Sequence, residues 1–206
     1  MTSRLTRNIL WSLALLLAAA LIWLALSPRG ANPSSPHDIP ALAAPPTGGD
    51  FTLAQGPKGV FHLSDLKGQV VLLYFGYTTC PDVCPTSLGW MSQMLHGLSP
   101  EEQKQVSAVF LSVDPQRDTP ARLAEYVAFF HPRIIGVTGT EDELKKAGAL
   151  YGAAWRRMEG GTELGYLVDH SAFIYLIDRD GKLVETIPHG TDAPTMARLV
   201  RAQLAR

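Results

Sequence analysis

The stretch QVVLLYFGYTTCPDVCPTS, residues 69–87, decides the fold class of this chain. Its first part, 69–76, is an almost unbroken apolar run, which is typical of a strand that is buried on both faces of a sheet. Its second part holds both cysteines of the chain, Cys80 and Cys84, each followed by a proline. Apolar residues then recur at helical spacing, which predicts a helix over about 84–97. A buried strand therefore leads through a dicysteine turn into a helix.

The segments around this unit alternate between strand and helix patterns. They predict a hairpin near 51–53 and 60–63, a second buried strand at 106–113, a helix at 120–130, a short strand at 134–137, a helix behind the capping box 140–143, a hairpin from 172–177 and 183–187, and a last helix capped by Asp192. This order indicates an α/β domain with a mixed central sheet and an N-terminal β-hairpin. The cysteine pair at a strand-to-helix turn favours the thioredoxin-like version of that architecture.

The N-terminal part of the chain has a different composition. Arg4 and Arg7 precede an uncharged apolar run at 9–26, close to the roughly 20 residues that span a bilayer. A cleaved signal peptide and a buried soluble helix are the alternatives, but the run is long and lacks small residues for cleavage at its end, which favours an uncleaved anchor. The two early arginines place the N-terminus in the cytoplasm. We therefore predict a cytoplasmic segment at 1–8, a single transmembrane signal anchor at 9–26, a Pro/Gly/Ser-rich linker at 27–50 and an exported thioredoxin-like domain at 51–206.

The charge balance excludes one class of partner. The chain has 18 Lys and Arg against 19 Asp and Glu, for a net charge of −1. Binding to nucleic acid needs a basic surface that neutralises phosphates. We therefore expect no nucleic-acid partner.

The dicysteine turn has three chemical interpretations. If the turn is helical, Cys80 and Cys84 lie at positions i and i+4, about 5–6 Å apart on one face. That separation allows a disulfide after modest adjustment, and it equally allows two sulfurs to bind one metal ion. A helix N-terminus helps thiols to ionise, which suits a redox pair and a metal site alike. We expect Pro81 and Pro85 to limit the helicity of the turn and to leave both sulfurs exposed at its tip.

A metal site requires a third donor, and His170 is the best candidate. It stands at the start of a predicted strand, at a position that lies beside the cysteine turn in a thioredoxin-like sheet. The other five histidines, which we interpret as structural or solvated, are His37, His62, His96, His131 and His189. Two thiolates and one imidazole form a soft three-donor set that suits Cu(I), and imidazole also tolerates Cu(II). Zinc normally takes a fourth ligand, and no catalytic base for a zinc-bound water is evident.

Three blocks of the sequence together resemble the Sco/SenC family. The blocks are GYTTCPDVCPTS (76–87), SVDPQRDTP (112–120) and YLVDHSAFIYLID (166–178). Members of that family are membrane-anchored thioredoxin-like proteins that bind copper and assist assembly of the dinuclear copper centre in cytochrome c oxidase subunit II. The resemblance implies Cys80, Cys84 and His170 as copper ligands, and it implies that the two cysteines form a redox-active pair. Many members have histidine in place of Thr79, which is not a ligand position.

The acidic residues of these blocks are not expected to be ligands. We interpret Asp114 and Asp118 as turn and cap residues, and Asp82 as a residue that caps the cysteine loop. The copper ion, Cu(I) or Cu(II), is therefore expected to meet only two sulfurs and one imidazole.

Three functional hypotheses remain open at the level of sequence. The first is a copper metallochaperone of a bacterial inner membrane, with its domain in the periplasm, which receives copper from an upstream donor protein and serves cytochrome c oxidase subunit II. The second is a thiol–disulfide oxidoreductase that keeps the cysteines of the target copper site reduced, and this is the enzymatic activity to consider. The third is a structural disulfide staple, which would close too small a loop to stabilise the domain much.

Overall fold

The computed structural model describes residues 46–55, 59–160 and 165–206, together with residues 11–12, 16–18 and 23 near the N-terminus. The chain divides into two compact units, Met1–Pro40 and Ala41–Arg206. In the first unit the described residues are helical and exposed. The predicted cytoplasmic segment at 1–8, and most of the predicted anchor at 9–26 and linker at 27–50, lie outside the described residues. Within the described part of the chain, no helix combines the length and the apolar character needed to cross a membrane.

The second unit alternates strands and helices. The strands are β1 (Thr52–Ala54), β2 (Val60–His62), β3 (Val70–Gly76), β4 (Val106–Ser112), β5 (Ile134–Val137), β6 (Trp155–Glu159), β7 (Tyr166–His170), β8 (Phe173–Ile177) and β9 (Leu183–Pro188). The α-helices are α1 (Val83–His96), α2 (Pro100–Lys104), α3 (Pro120–Phe130), α4 (Glu141–Tyr151) and α5 (Ala193–Leu204). Thr47 is already part of the domain, because its carbonyl accepts a hydrogen bond from the Leu183 amide.

A five-stranded mixed sheet forms the centre of the domain, in the order β5-β4-β3-β8-β9. β3 pairs in parallel with β4 and antiparallel with β8, so it lies in the middle of the sheet. Every residue of β3 and β4 is buried, because helices cover both faces of the sheet. β1 and β2 form the predicted N-terminal hairpin. The thioredoxin-like α/β prediction with a mixed sheet is thus confirmed.

Side-chain caps begin most of the helices where the sequence predicts them. The side chains of Thr119, Thr140 and Asp192 accept hydrogen bonds from backbone amides three residues later, which satisfies donors that the first turn leaves free. Proline stands within the first two positions of α3 and α5, where its missing N–H costs nothing. These caps determine the residues at which α3, α4 and α5 begin.

A second hairpin, β6–β7, is absent from the sequence prediction. β6 is exposed along most of its length and has no apolar alternation, so its pattern does not indicate a strand. Its base is held to the domain, because Trp155 lies against Gly148 of α4, where an added Cβ would come within 2.6 Å of the indole. In the register of the hairpin Trp155 pairs with His170, which therefore ends β7 at the edge of the core.

Candidate metal centre

The dicysteine turn runs from the end of β3 into the first turn of α1. The Cys80 amide donates to the Tyr77 carbonyl, which closes a tight turn, and Cys84 is the second residue of the helix. The Cys84 amide, at the positive end of α1, donates to the Cys80 sulfur over 3.4 Å. Pro85 does not interrupt α1, since amides in the first turn have no helical partner to lose.

Our prediction that the two sulfurs are exposed is wrong. Cys84 is fully buried and Cys80 is 8% exposed. The reason is that Cys84 lies on the face of α1 that packs against the central sheet, together with Leu88 and Met91. Both cysteines are free thiols in this structure. Of the two cysteines, Cys80 is therefore the one nearer to solvent.

His170 completes a cluster of three soft donors. Its Nε2 atom lies 3.3 Å from the Cys84 sulfur. The two sulfurs and one ring nitrogen all fall within 4.8 Å of one another, and the described residues contain no other group of three or more such side chains at this spacing. The structure thus brings together the three residues that the sequence nominated.

The surroundings of His170 fix the orientation of its ring. Nδ1 lies 3.2 Å from the Ser171 carbonyl, which can only accept, so Nδ1 carries the hydrogen and Nε2 presents its lone pair to the sulfurs. Tyr74 and Tyr77 hold the imidazole edge-on, with ring centroids 6.1 and 5.7 Å away. This is the tautomer that a metal bound at Nε2 requires.

Gly76 makes room for the buried sulfur. A Cβ atom on this residue would come within 2.7 Å of the Cys84 sulfur and 2.8 Å of a Phe110 ring carbon. No function was predicted for Gly76 from the sequence. The glycine at the end of a buried strand, directly before a cysteine turn, is the pattern that could have indicated it.

The two thiols differ in acidity. A hydrogen bond with the Cys84 thiol is the main cause that lowers the pKa of Cys80 below its ordinary value; burial opposes it, and His170 and two backbone amides support it. Burial, followed by interaction with Cys80, raises the pKa of Cys84. The pair therefore loses its first proton readily and holds the second tightly. A bound cation would favour loss of both protons.

The acidic residues of the three blocks are occupied elsewhere. Asp114 and Asp118 are both buried and bind side chains of their own loop and neighbouring strands. Asp82 precedes α1 at the N-cap position, but its side chain makes no capping hydrogen bond and instead accepts from the Thr86 hydroxyl over 3.5 Å, so the interpretation of Asp82 as a cap is wrong. None of the three belongs to the donor cluster.

The other histidines in the described part of the chain also lie outside the cluster. His62 is exposed and contacts Thr52, while His189 contacts Ser87 over 2.9 Å. His96 and His131 pack against each other with ring centroids 4.5 Å apart. His37 lies outside the described residues.

Comparison with known proteins assigns this chain to a family. The SCO1/SenC family model matches residues 40–205. The chain belongs to the SCO1/SenC family. An SCO2-like protein of Rickettsia felis is 41% identical over 139 residues, which are 67% of this chain and 67% of that protein. The mitochondrial protein SCO2 of Saccharomyces cerevisiae is 37% identical over 160 residues, 76% of this chain and 52% of that protein.

Solved structures of SCO1/SenC proteins share the fold. Bradyrhizobium japonicum ScoI, solved with copper bound, matches with a TM-score of 0.69 and 36% identity, over 76% of this chain and 98% of that one. Yeast Sco1 with copper bound gives a TM-score of 0.67 and 35% identity, over 78% and 90% of the two chains. These SCO1/SenC structures carry copper, the metal that a donor set of two thiolates and one imidazole suits.

Proposed function

We propose that this SCO1/SenC protein is a copper metallochaperone that binds copper through Cys80, Cys84 and His170. The observation that supports this most strongly is the cluster of two sulfurs and one nitrogen within 4.8 Å, in a family with copper-bound members of the same fold. Bound copper supplies nothing to catalysis here, since it is the cargo. The chain's own residues hold the cargo, orient the imidazole and keep water from the inner sulfur.

The proposed target is the dinuclear copper centre of cytochrome c oxidase subunit II, with an upstream protein as the copper donor. The predicted anchor at 9–26 would keep the chain in the inner membrane and the domain in the periplasm. Since the chain is bonded to the domain from Thr47 onward, the free part of the predicted linker is 27–46, which would reach about 60 Å in polyproline geometry at about 3.1 Å per residue. That reach would let the domain visit both a donor and a membrane-embedded oxidase.

A thiol–disulfide oxidoreductase is the second candidate, and the asymmetry of the two thiols supports it. Cys80, the more exposed sulfur with the lowered pKa, would attack a disulfide of the target and release one target thiolate. Cys84 would then attack Cys80 and release the second. The target gains two electrons, and Cys80 and Cys84 end as a disulfide.

Complementation of cells that lack this protein separates the two functions. A reductase needs both cysteines and has no need of an imidazole ligand, whereas a copper carrier needs all three groups. We therefore expect His170→Ala to fail to restore oxidase assembly almost as completely as Cys80→Ser or Cys84→Ser. His62→Ala, which changes an exposed histidine outside the cluster, serves as the control and should restore assembly.

The disulfide-exchange rate of His170→Ala must be measured alongside, because the imidazole also influences the acidity of Cys80. A near-normal rate combined with failed assembly supports the chaperone. Full restoration by His170→Ala, with both cysteine variants inactive, would instead put the oxidoreductase first.

A further inference from the structure

The 112–118 loop, defined here as the last residue of β4 and the six residues after it, supplies no donor to the cluster of Cys80, Cys84 and His170 but contacts both segments that do. Asp118 is fully buried. Its carboxylate accepts from the Thr78 amide over 2.8 Å and from the Ser112 hydroxyl over 2.6 Å. Thr78 stands two residues before Cys80, so Asp118 ties the dicysteine turn to β4.

The neighbouring residue, Arg117, contacts the strand that carries His170. Its guanidinium lies 3.7 Å over the Tyr166 ring and donates to the Tyr166 carbonyl over 2.9 Å. It also pairs with Asp114, whose other oxygen accepts from the Tyr166 hydroxyl over 2.6 Å. Arg117 and Asp114 thus hold the first residue of β7 by its ring, its hydroxyl and its backbone.

The same guanidinium reaches one of the rings that flank His170. Its carbon lies 5.6 Å from the centroid of Tyr77. The Tyr77 hydroxyl accepts from the Val168 amide over 3.3 Å, two residues before His170. Tyr166, Val168 and His170 alternate along β7 with more exposed residues, so all three face the domain.

We infer that Arg117 and Asp118 are positioning residues that set the distance between the nitrogen donor and the sulfur donors. Asp118 acts on the dicysteine turn through Thr78, and Arg117 acts on His170 through Tyr166 and Tyr77. Because they are adjacent in one loop, they fix the two ligand-bearing segments relative to each other. The inference rests on the proposed function, copper binding by Cys80, Cys84 and His170.

The role assigned to Arg117 requires an arginine. One planar group stacks on a ring, pairs with a carboxylate and donates to a carbonyl at the same time, with 18% of its side chain exposed. A lysine ammonium keeps the charge but cannot make the stack and the fork of hydrogen bonds together. Arg117→Lys is therefore expected to behave like Arg117→Met.

Copper titration of the reduced full-length chain tests this with double variants. Arg117→Met should weaken copper binding by about 10–100-fold, the usual effect of removing a group that orients a ligand. In a His170→Ala background Arg117→Met should weaken copper binding little further, because the imidazole through which Arg117 acts is no longer present. Asp118→Asn should still weaken binding in that background, since it acts on the sulfurs. Arg157→Met is the matched control, as Arg157 stacks 3.7 Å over the same Tyr166 ring from the exposed hairpin.

A second readout needs no copper. In the reduced, metal-free chain, nuclear Overhauser contacts between the rings of His170 and Tyr77 should be present, lost in Arg117→Met and kept in Arg157→Met. Restoration of copper affinity by Arg117→Lys, equal loss in Arg157→Met, or a full additional loss in the His170→Ala background would overturn the inference. Failure of the wild-type chain to bind copper would refute the proposed function instead, and the ring contacts would then decide the role of Arg117.

Discussion

At the scale of single residues, the metal centre depends on the absence of a side chain at Gly76. The Cys84 sulfur occupies the space that a Cβ at this position would need. A ring carbon of Phe110 would lie 2.8 Å from the same Cβ, so an added methyl group would force the sulfur or the ring to shift. The buried sulfur and the glycine therefore require each other.

Gly76→Ala is expected to lower both stability and copper affinity. Overpacking of a buried site of this kind costs about 1–3 kcal/mol of unfolding free energy, and it displaces the Cys84 sulfur from His170. Urea denaturation and copper titration measure the two effects. Gly89→Ala is the matched control, because an added Cβ there meets nothing within 4 Å and alanine favours α1. A Gly76→Ala chain with wild-type stability and affinity would contradict this description of the site.

That Cys80, Cys84 and His170 lie together could be predicted from the sequence, but the burial of the sulfurs could not. The spacing of Cys80 and Cys84 allowed several chemistries, and the family resemblance implied two of them, copper binding and a redox-active pair. The burial of the sulfurs depends on which face of α1 packs against β3. The presence of Pro81 and Pro85 does not predict that face. The roles of Gly76 and Arg117 depend on contacts between segments distant in the sequence, which no local pattern encodes.

At the scale of elements, the end of α3 carries a titratable group inside the fold. His131 caps the helix, is buried, and accepts at Nδ1 from the Arg133 amide over 3.1 Å. Burial, then His96 and Arg133, lower the pKa of His131 below its ordinary value. In the folded chain the neutral form of His131 is therefore favoured.

Acidification should destabilise the fold through His131. The unfolded chain takes up this proton near pH 6.5, while the folded chain takes it up only at lower pH. The unfolding free energy should thus fall as the pH drops from about 7 to 5, by at most about 1.4 kcal/mol per pH unit for this one group. Urea denaturation at several pH values measures the slope.

His131→Asn, which keeps an acceptor for the Arg133 amide, should flatten the pH dependence. The exposed His62 provides the control, and His62→Asn should leave the slope as it is. Equal slopes in wild type and His131→Asn would contradict the assignment.

Most elements could be predicted because their patterns are local. Buried apolar runs predict β3 and β4, and capping residues predict the starts of α3, α4 and α5. The β6–β7 hairpin was missed because its outer strand faces solvent and has no apolar period. Its existence depends on the anchoring of Trp155 at its base, which is a tertiary contact.

At the scale of the whole molecule, the three candidate donors lie on two separate parts of the chain, and a third part connects them. The dicysteine turn follows the central strand, His170 ends an outer hairpin, and the 112–118 loop contacts both. The sulfurs are buried and the imidazole is oriented by its neighbours, so the fold itself sets the geometry of the cluster. Oxidation of Cys80 and Cys84 to a disulfide would remove both thiolates and should abolish copper binding.

X-ray absorption spectroscopy of copper loaded onto the reduced full-length chain tests the central claim most directly. We predict one copper per chain, with two sulfur neighbours and one imidazole nitrogen, and with the imidazole contribution absent in His170→Ala. A spectrum without sulfur neighbours, or one that His170→Ala leaves unchanged, would contradict the assignment of Cys80, Cys84 and His170 as the copper site.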